Sequence, residues 1–565
     1  MARDRQETGP GAARVVPVIA VSCAWDTGLH GRHRRPLETV LPSYLVAQRW
    51  FGGKARRLRR TRIVDAVPVP ARRHAVFVTL VRASYAAGPS ELYVLPLSYA
   101  PGSRAESIFR REPQHVVARV EAKRRGGVVY ESIEEGDVAR ALLDAIARQR
   151  ELPGRSGALA GLRTGAFARL RGRGRLDPVV LGTEQSNTSF DFGHRLVMKL
   201  FRRLEAGTNP DLEVGRFLTE RARFAHVPAT GGALEYRPRR GGAAVVALVQ
   251  RFARNEGDAW RFTLEVLGRF FLRVADRPAP PPLPRLPMAG LASRAVPPGL
   301  TTAIDDGLDA ARLLGRRTAE LHLALAGDAG DPAFSPEVST PAYRRALAQS
   351  MTALTARNFA LLRRQLPALP LGVRRSAADV AERLDDVAGL ARAFATRRAT
   401  ALRTRVHGDY HLGQVLRCAG DFVIIDFEGE PGVPLRVRRA KHSPLKDVAG
   451  MIRSFHYAAH HARRDFAGRT NARPRRAWAD TWFAWVSAAF LRSYLDAAGG
   501  AVFLPHDTSE LGHVPAFHLL EKAAYELGYE LNHRPDWVWL PLSGILHALD
   551  AGRELDDPAP RRGRR

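Results

Sequence analysis

Between residues 405 and 431 the chain reads RVHGDYHLGQVLRCAGDFVIIDFEGEP. Two histidines, a glutamine and a run of carboxylates surround one short apolar stretch. Asp409 stands in a polar loop, and Asp426 follows seventeen residues later at the end of the apolar run. Carboxylate and amide oxygens in one neighbourhood are the donors a hard divalent cation takes. A carboxylate that faces a hydroxyl can also accept its proton. Three readings fit these residue types: a metal site, a phosphate-transfer centre, or a hairpin with charged ends.

The spacing favours the second. Gln414 follows Asp409 by five positions, as D-x-x-x-x-Q. Protein-kinase catalytic loops carry their base and an amide metal ligand at this separation, because the loop must curl both side chains toward one phosphate site. DFVIIDFE reads as a strand that delivers Asp426 at its end, with Glu428 a further oxygen donor. Upstream, RLVMKLF places Lys199 on an apolar strand, where an unpaired ammonium is costly to bury. Glu213, fourteen residues on, opens a helix and is the expected partner of Lys199. GTEQSNTSF supplies small polar residues, Ser186 and Asn187 among them, at a hairpin suited to covering phosphates through backbone N–H groups.

Two further elements position this chemistry. Asp447, in LKDVAGMIRSF, either caps its helix or reaches back to the backbone of the 407–409 loop, which His407 opens. In FHLLEKAAYELGYELNHRPDW, Phe517, Leu520, Ala524, Leu527 and Leu531 fall on one helical face. Lys522, Tyr525, Glu526 and Tyr529 fall on the opposite one. That second face is either solvated or a sugar platform, since rings stack on apolar C–H faces while charged groups bind hydroxyls.

At 565 residues the chain is too long for one compact core. A 45% hydrophobic and 25% charged composition is that of a globular protein, and no apolar run reaches the roughly 18 residues of a membrane helix. The formal charge of +30 invites a nucleic-acid partner. The arginines, however, are scattered, and only six lysines occur: Lys54, Lys123, Lys199, Lys441, Lys446 and Lys522. Neither nucleic acid nor a membrane is expected as partner. Where nearly every cation is arginine, a lysine marks a place that asks for a compact ammonium. Cys23 and Cys418 provide neither a disulfide framework nor metal spacing, so a reducing cytoplasm is expected. The N-terminal stretch imitates a signal peptide, but Pro17 interrupts it and it reads as a tail. Short β-prone runs to about residue 135 predict a small mainly β domain. A helix then follows at 136–150, hairpin strands at 178–201, a helix at 209–224 and a buried strand at 242–252. The Pro-rich stretch 277–299 reads as a surface loop or linker, and beyond it the chain is mostly helical.

With QRWFGGKAR, GTEQSNTSF, KLFRRLEAGTNPDLEVGRFL, HGDYHLGQVL, DFEGEP, AKHSPLKDVAGMIRSFHYAA and LEKAAYELGYELNHRPDW, the chain resembles the bacterial maltokinases, some of them fused to trehalose synthase. These are relatives of the aminoglycoside phosphotransferases within the protein-kinase-like fold. The resemblance implies an α+β chain with a tail at 1–38, a cap domain at 39–135 and a β-rich N-lobe at 136–253. A helical C-lobe at 254–552 and a tail at 553–565 complete it. It implies ATP- and Mg²⁺-dependent transfer of the γ-phosphate to the anomeric hydroxyl of maltose, giving maltose 1-phosphate for α-glucan synthesis, with trehalose synthase a possible partner. By the same resemblance Asp409 is the general base, and Gln414, Asp426 and Glu428 hold the metal. Lys199 and Glu213 serve the ATP phosphates with Ser186 and Asn187, and Gln250, Phe252 and Ala253 form a hinge beside adenine. Lys522, Tyr525, Glu526 and Tyr529 bind maltose, and His407 and Asp447 support the loop. Arg251 departs from the acidic residue usual at that place.

Two alternatives stand beside this reading. One is a kinase for another small hydroxylated acceptor, such as a different disaccharide or an aminoglycoside. The other is a non-catalytic kinase-fold scaffold, against which the intact Lys199, Asp409, Gln414 and Asp426 weigh.

Overall fold

The computed structural model describes residues 16–20, 25, 27–121, 126–183, 187–284, 286–328, 330–469 and 476–556. They form two compact units, which divide between Arg254 and Asn255.

The N-terminal unit carries two seven-stranded sheets. The first runs Val18–Ala20, Val116–Glu121, Gly127–Glu131, Glu91–Pro101, Val76–Tyr85, Leu58–Val69, with Arg203–Leu204 added beside Glu91–Pro101. All its neighbours are antiparallel except Val18–Ala20, which pairs in parallel with Val116–Glu121. The second runs Glu151–Pro153, Gly157–Arg163, Thr230–Pro238, Ala244–Arg251, Leu196–Phe201, Asn187–Phe192, Pro178–Thr183. Val67, Val78 and Leu80 of the first sheet, Val138 and Leu142 of the helix Gly136–Ala147, and Phe190, Met198 and Leu248 of the second share one apolar core. That core explains why the helix lies where it does: its buried residues recur at helical spacing and have strands to cover.

Residues 1–38 were expected to be a tail, yet within that range Val18–Ala20 is a strand and a helix begins at Arg35, running to Ala47. Ile19 is buried, and so are Leu37, Leu41, Tyr44 and Leu45 of the helix. These apolar side chains have a sheet and a core to enter, and their burial orders the stretch that was expected to be a tail. Residues 1–15 lie outside the described residues.

The C-terminal unit is helical. Asp306–Leu325, Pro341–Gln365, Leu445–Arg469, Arg476–Ala498, Thr508–His533 and Trp539–Asp556 are its long helices. One antiparallel hairpin, Val415–Cys418 with Asp421–Ile424, interrupts them in the register Val415↔Ile424. Within the Pro-rich stretch Met288–Ala292 is a short helix with Leu291 and Ala292 buried, and a second, Pro298–Ile304, begins at its end. The C-terminal helix continues to Asp556, past the expected start of the tail at 553. Among the described residues no helix is long and apolar enough to cross a membrane.

Candidate active site

The loop that carries Asp409 is fixed by the first turns of the helix Leu445–Arg469. Asp447 is 2% exposed. Its Oδ2 accepts the His407 N–H at 2.7 Å and its Oδ1 the Gly408 N–H at 2.9 Å. His322 Nε2 lies 3.1 Å from the same carboxylate, and its Nδ1 lies 3.0 Å from the Tyr494 hydroxyl. Burial opposes the charge on Asp447, but the His322 hydrogen bond, the neighbouring imidazoles and the Gly408 N–H outweigh it and hold the carboxyl below its usual range. Of the two roles open to Asp447 in the sequence, it makes the contact with the 407–409 backbone.

His407 extends the brace. Its Nε2 donates to the Ile425 carbonyl at 2.9 Å, and its Nδ1 accepts the Asp409 N–H at 3.3 Å. The ring thereby ties the loop to the end of the hairpin. Gly450 permits the approach of loop and helix, since a Cβ there would sit 2.7 Å from the Tyr410 carbonyl oxygen. Ser454 accepts the Leu412 N–H at 3.1 Å, and the Tyr410 hydroxyl meets Thr318 at 2.9 Å.

The hairpin brings Gln414 and Asp426 together. Ile425 N–H donates to the Gln414 carbonyl at 3.0 Å, and Gln414 Nε2 donates to Asp426 Oδ2 at the same distance. Asp426 has φ +67°, a left-handed conformation rare for a residue with a side chain. Such strain persists only where surroundings impose it, and it concentrates at functional sites. The amide N–H points to the carboxylate, so the Gln414 amide oxygen is the group left for a cation. An amide oxygen beside carboxylate oxygens suits Mg²⁺ by donor chemistry. The Glu428 carbonyl accepts from Arg438 at 2.8 Å, which fixes the backbone after Asp426.

The third wall is the helix Thr508–His533. Lys522, Tyr525, Glu526 and Tyr529 are all half-buried, while Phe517, Leu520, Leu527 and Leu531 enter an apolar core of the unit and Ala524 is buried as well. Lys522 Nζ lies 3.3 Å from Asp409 Oδ1 and 2.8 Å from Glu430 Oε1. Burial alone would lower its pKa, but the Asp409 and Glu430 charges raise it well above the usual lysine value. The same ammonium stands 5.0 Å over the Tyr525 ring. Tyr529 stacks on His533 at 4.5 Å. Burial and the Glu430 charge push the Tyr525 phenol up to about 12. Glu526 pairs with Arg453 of the helix Leu445–Arg469.

In the N-terminal unit Lys199 sits on the strand Leu196–Phe201, between buried Met198 and Leu200 and on the opposite face from them. Its Nζ is 3.6 Å from Asp211 Oδ2, a carboxylate only 1% exposed. Asp211 belongs to the first turn of the helix Pro210–Arg216, capped by Asn209, whose side chain accepts the Leu212 N–H. Glu213 lies half-buried on the same helix. Gln250 pairs with Val197 across the sheet, and Phe252 N–H donates to the Arg195 carbonyl at 2.8 Å, just before Ala253. Asn187 is buried at the start of its strand. Ser186 falls outside the described residues.

Sequence reasoning missed Asp211, Glu430 and Arg453. The first stands two residues before the carboxylate it did name, and the second lies inside DFEGEP. Arg453 carries no local signal in so arginine-rich a chain.

Residues 44–134 match the family model of the maltokinase N-terminal cap domain. Over 245 residues the chain is 31% identical to the glucosamine kinase of Streptacidiphilus jiangxiensis, an alignment that covers 42% of this chain and 49% of that protein. It is 25% identical over 377 residues to the glucosamine kinase of Mycolicibacterium smegmatis (strain ATCC 700084 / mc(2)155), covering 65% and 79%. The chain thus spans about half the length of the first of these relatives. Among solved structures, a glucosamine kinase in complex with glucosamine, ADP and inorganic phosphate is similar with a TM-score of 0.54 at 20% identity, over 89% of this chain and 97% of that one. Glucosamine kinase in crystal form B gives 0.55 at 21%, over 88% and 95%. These likenesses show the fold: protein-kinase-like, with a β-rich N-lobe, a helical C-lobe and an N-terminal cap domain.

Proposed function

We propose that the chain is an ATP-dependent sugar kinase that transfers the γ-phosphate to the anomeric hydroxyl of maltose. One observation carries the reading: the braced carboxylate of Asp409 stands beside a half-buried helix face bearing Lys522, Tyr525, Glu526 and Tyr529. From Lys522 to Tyr529 that face runs two helical turns, roughly 10 Å at 1.5 Å per residue, enough to follow two sugar rings.

In this reading Asp409 accepts the proton of the acceptor hydroxyl as its oxygen bonds to the γ-phosphorus and ADP departs. Lys522 holds the Asp409 carboxylate toward the acceptor. Gln414 and Asp426 would hold Mg²⁺, with Glu428 as a further ligand, and the bound ion would offset charge on the phosphates. Lys199, with Asp211 and Glu213, would serve the phosphates of ATP, and Gln250 to Ala253 its adenine. Positioning and electrostatics supply most of the catalysis in such a centre.

A second reading replaces maltose by glucosamine. It is favoured by the relatives and solved structures that carry that name. Glu430 would be its ammonium acceptor, because Lys522 is one cation between two carboxylates.

The test is ATP-dependent phosphate transfer with Mg²⁺ to maltose, glucosamine, glucose, trehalose and kanamycin, by wild type and Asp409→Asn. Turnover of maltose above the others, lost in the variant, is the expected result. Preference for glucosamine would move the assignment to the second reading. No transfer and no thermal stabilisation by ATP would leave a non-catalytic scaffold.

A further inference from the structure

Beneath the Glu526 side of the proposed acceptor face lies a buried arginine, with three elements of the unit built around it. Arg453 is 3% exposed. Its Nε and Nη2 donate to one oxygen, Glu526 Oε2, at 2.9 and 2.6 Å. Its Nη1 donates to His456 Nδ1 at 2.8 Å. From the helix Trp539–Asp556, Gly544 leaves the space the guanidinium fills: a Cβ there would fall 2.6 Å from the guanidinium carbon.

His456, His460 and Asp480 bring their ligand-type atoms within 4.8 Å of one another, which suggests a metal. The arginine argues otherwise. A guanidinium only donates, so His456 Nδ1 must accept and the ring proton resides on Nε2, which then has no lone pair to give a cation. Burial, followed by the Arg453 charge, keeps that ring neutral. His456 serves the arginine.

We propose that Arg453 is a positioning residue of the acceptor site: it clamps Glu526 by Oε2, leaving Oε1 to receive the acceptor, and matches that carboxylate with a cation so that it takes a hydroxyl rather than an ammonium. The inference rests on the sugar-kinase reading and adds a determinant of specificity to it. Two donors of the one guanidinium hold Glu526 Oε2 and the third holds His456, all from the helix Leu445–Arg469. A compensated carboxylate still accepts a hydrogen bond, but it no longer supplies an unmatched charge for an amino sugar.

The experiment uses the full chain and compares Arg453→Met, Gly544→Ala, His456→Asn and His456→Phe by steady-state kinetics with maltose and with glucosamine. Arg453→Met and Gly544→Ala should raise the KM for maltose about tenfold and leave the KM for ATP unmoved, the loss expected for a charge-assisted contact. His456→Asn, which keeps an acceptor for Nη1, should stay near wild type, and His456→Phe should follow Arg453→Met. The kcat/KM ratio of glucosamine to maltose should rise severalfold in Arg453→Met, because Glu526 then loses the cation hydrogen-bonded to it; a merely structural arginine would not move that ratio. If Gly544→Ala fails to fold, Arg453→Met decides. A folded Arg453→Met with wild-type KM and ratio overturns the proposal while the kinase reading stands. A wild type that phosphorylates no sugar overturns both.

Discussion

Lys522 Nζ bridges Asp409 Oδ1 at 3.3 Å and Glu430 Oε1 at 2.8 Å, so one ammonium joins two loops that lie 113 and 92 residues from it in sequence. Replacing it by methionine leaves two carboxylates facing a site that has lost its cation. Lys522→Met should lower kcat about a hundredfold and destabilise the fold by about 1–3 kcal/mol, less than the roughly 3–5 kcal/mol for breaking a fully buried pair because the side chain retains some exposure. Turnover and urea denaturation of the same preparation check both effects. Full activity in the variant would remove Lys522 from the site.

Asp409→Asn keeps the size of the side chain and its place in the loop but removes the base. Its kcat should fall by about 10²–10⁴. ATP should still raise the melting temperature of the variant, since the nucleotide does not need the acceptor base. A loss of ATP stabilisation together with activity would point to a collapsed loop instead.

Asp447→Asn tests the brace. The carboxylate takes two backbone N–H groups and faces His322. The amide must turn its NH₂ toward one of these donors. A cost of about 2–4 kcal/mol is expected, with a fall in kcat because the loop holding Asp409 loses its anchor. Faster amide hydrogen exchange at His407 and Gly408 would locate the damage, and unchanged exchange there would argue against this role.

The metal assignment is tested through its concentration dependence. Gln414→Leu removes an amide oxygen and the hydrogen bond to Asp426. The Mg²⁺ concentration at half-maximal rate should rise by about tenfold or more, with the maltose KM little changed. EDTA should abolish transfer by the wild type, and an unaltered Mg²⁺ requirement in the variant would exclude Gln414 as a ligand.

Stability should decline on mild acidification. Burial holds the His442 ring down to about 4, whereas an unfolded chain returns it to about 6.5. Between those values the unfolded chain binds a proton that the folded chain does not, so stability falls as pH drops through this window, by about 3 kcal/mol in total. His456, His460 and His547 are shifted in the same direction, burial being the main cause. The carboxyls of Asp447 and Glu521, held low against burial by His322 and by Lys446 and His518 respectively, add to the loss further down. Melting temperatures from pH 7.5 to 5 should show the decline, and His442→Gln should flatten it. A curve parallel to wild type would show that the ring does not carry the effect.

The sequence by itself determined the local pieces. Asp409 and Gln414 share a short loop, Asp426 closes a strand, and Lys522, Tyr525, Glu526 and Tyr529 share a helical face, because each relation is set by separations within one element or one turn. The same local logic located Lys199 on a strand between core residues. Tertiary structure decided the partners. Asp211 joined the carboxylates near Lys199 only in the folded chain, because packing sets which turn of the helix Pro210–Arg216 comes within reach of the strand. Arg453 and Glu430 reach Glu526 and Lys522 across 73 and 92 residues, separations at which no periodicity constrains contact. The order of residues 18–20 and 35–38 likewise came from strand pairing and core burial, which composition does not encode. These long-range charge pairs depend on how helices, loops and strands pack, and packing is a property of the whole unit.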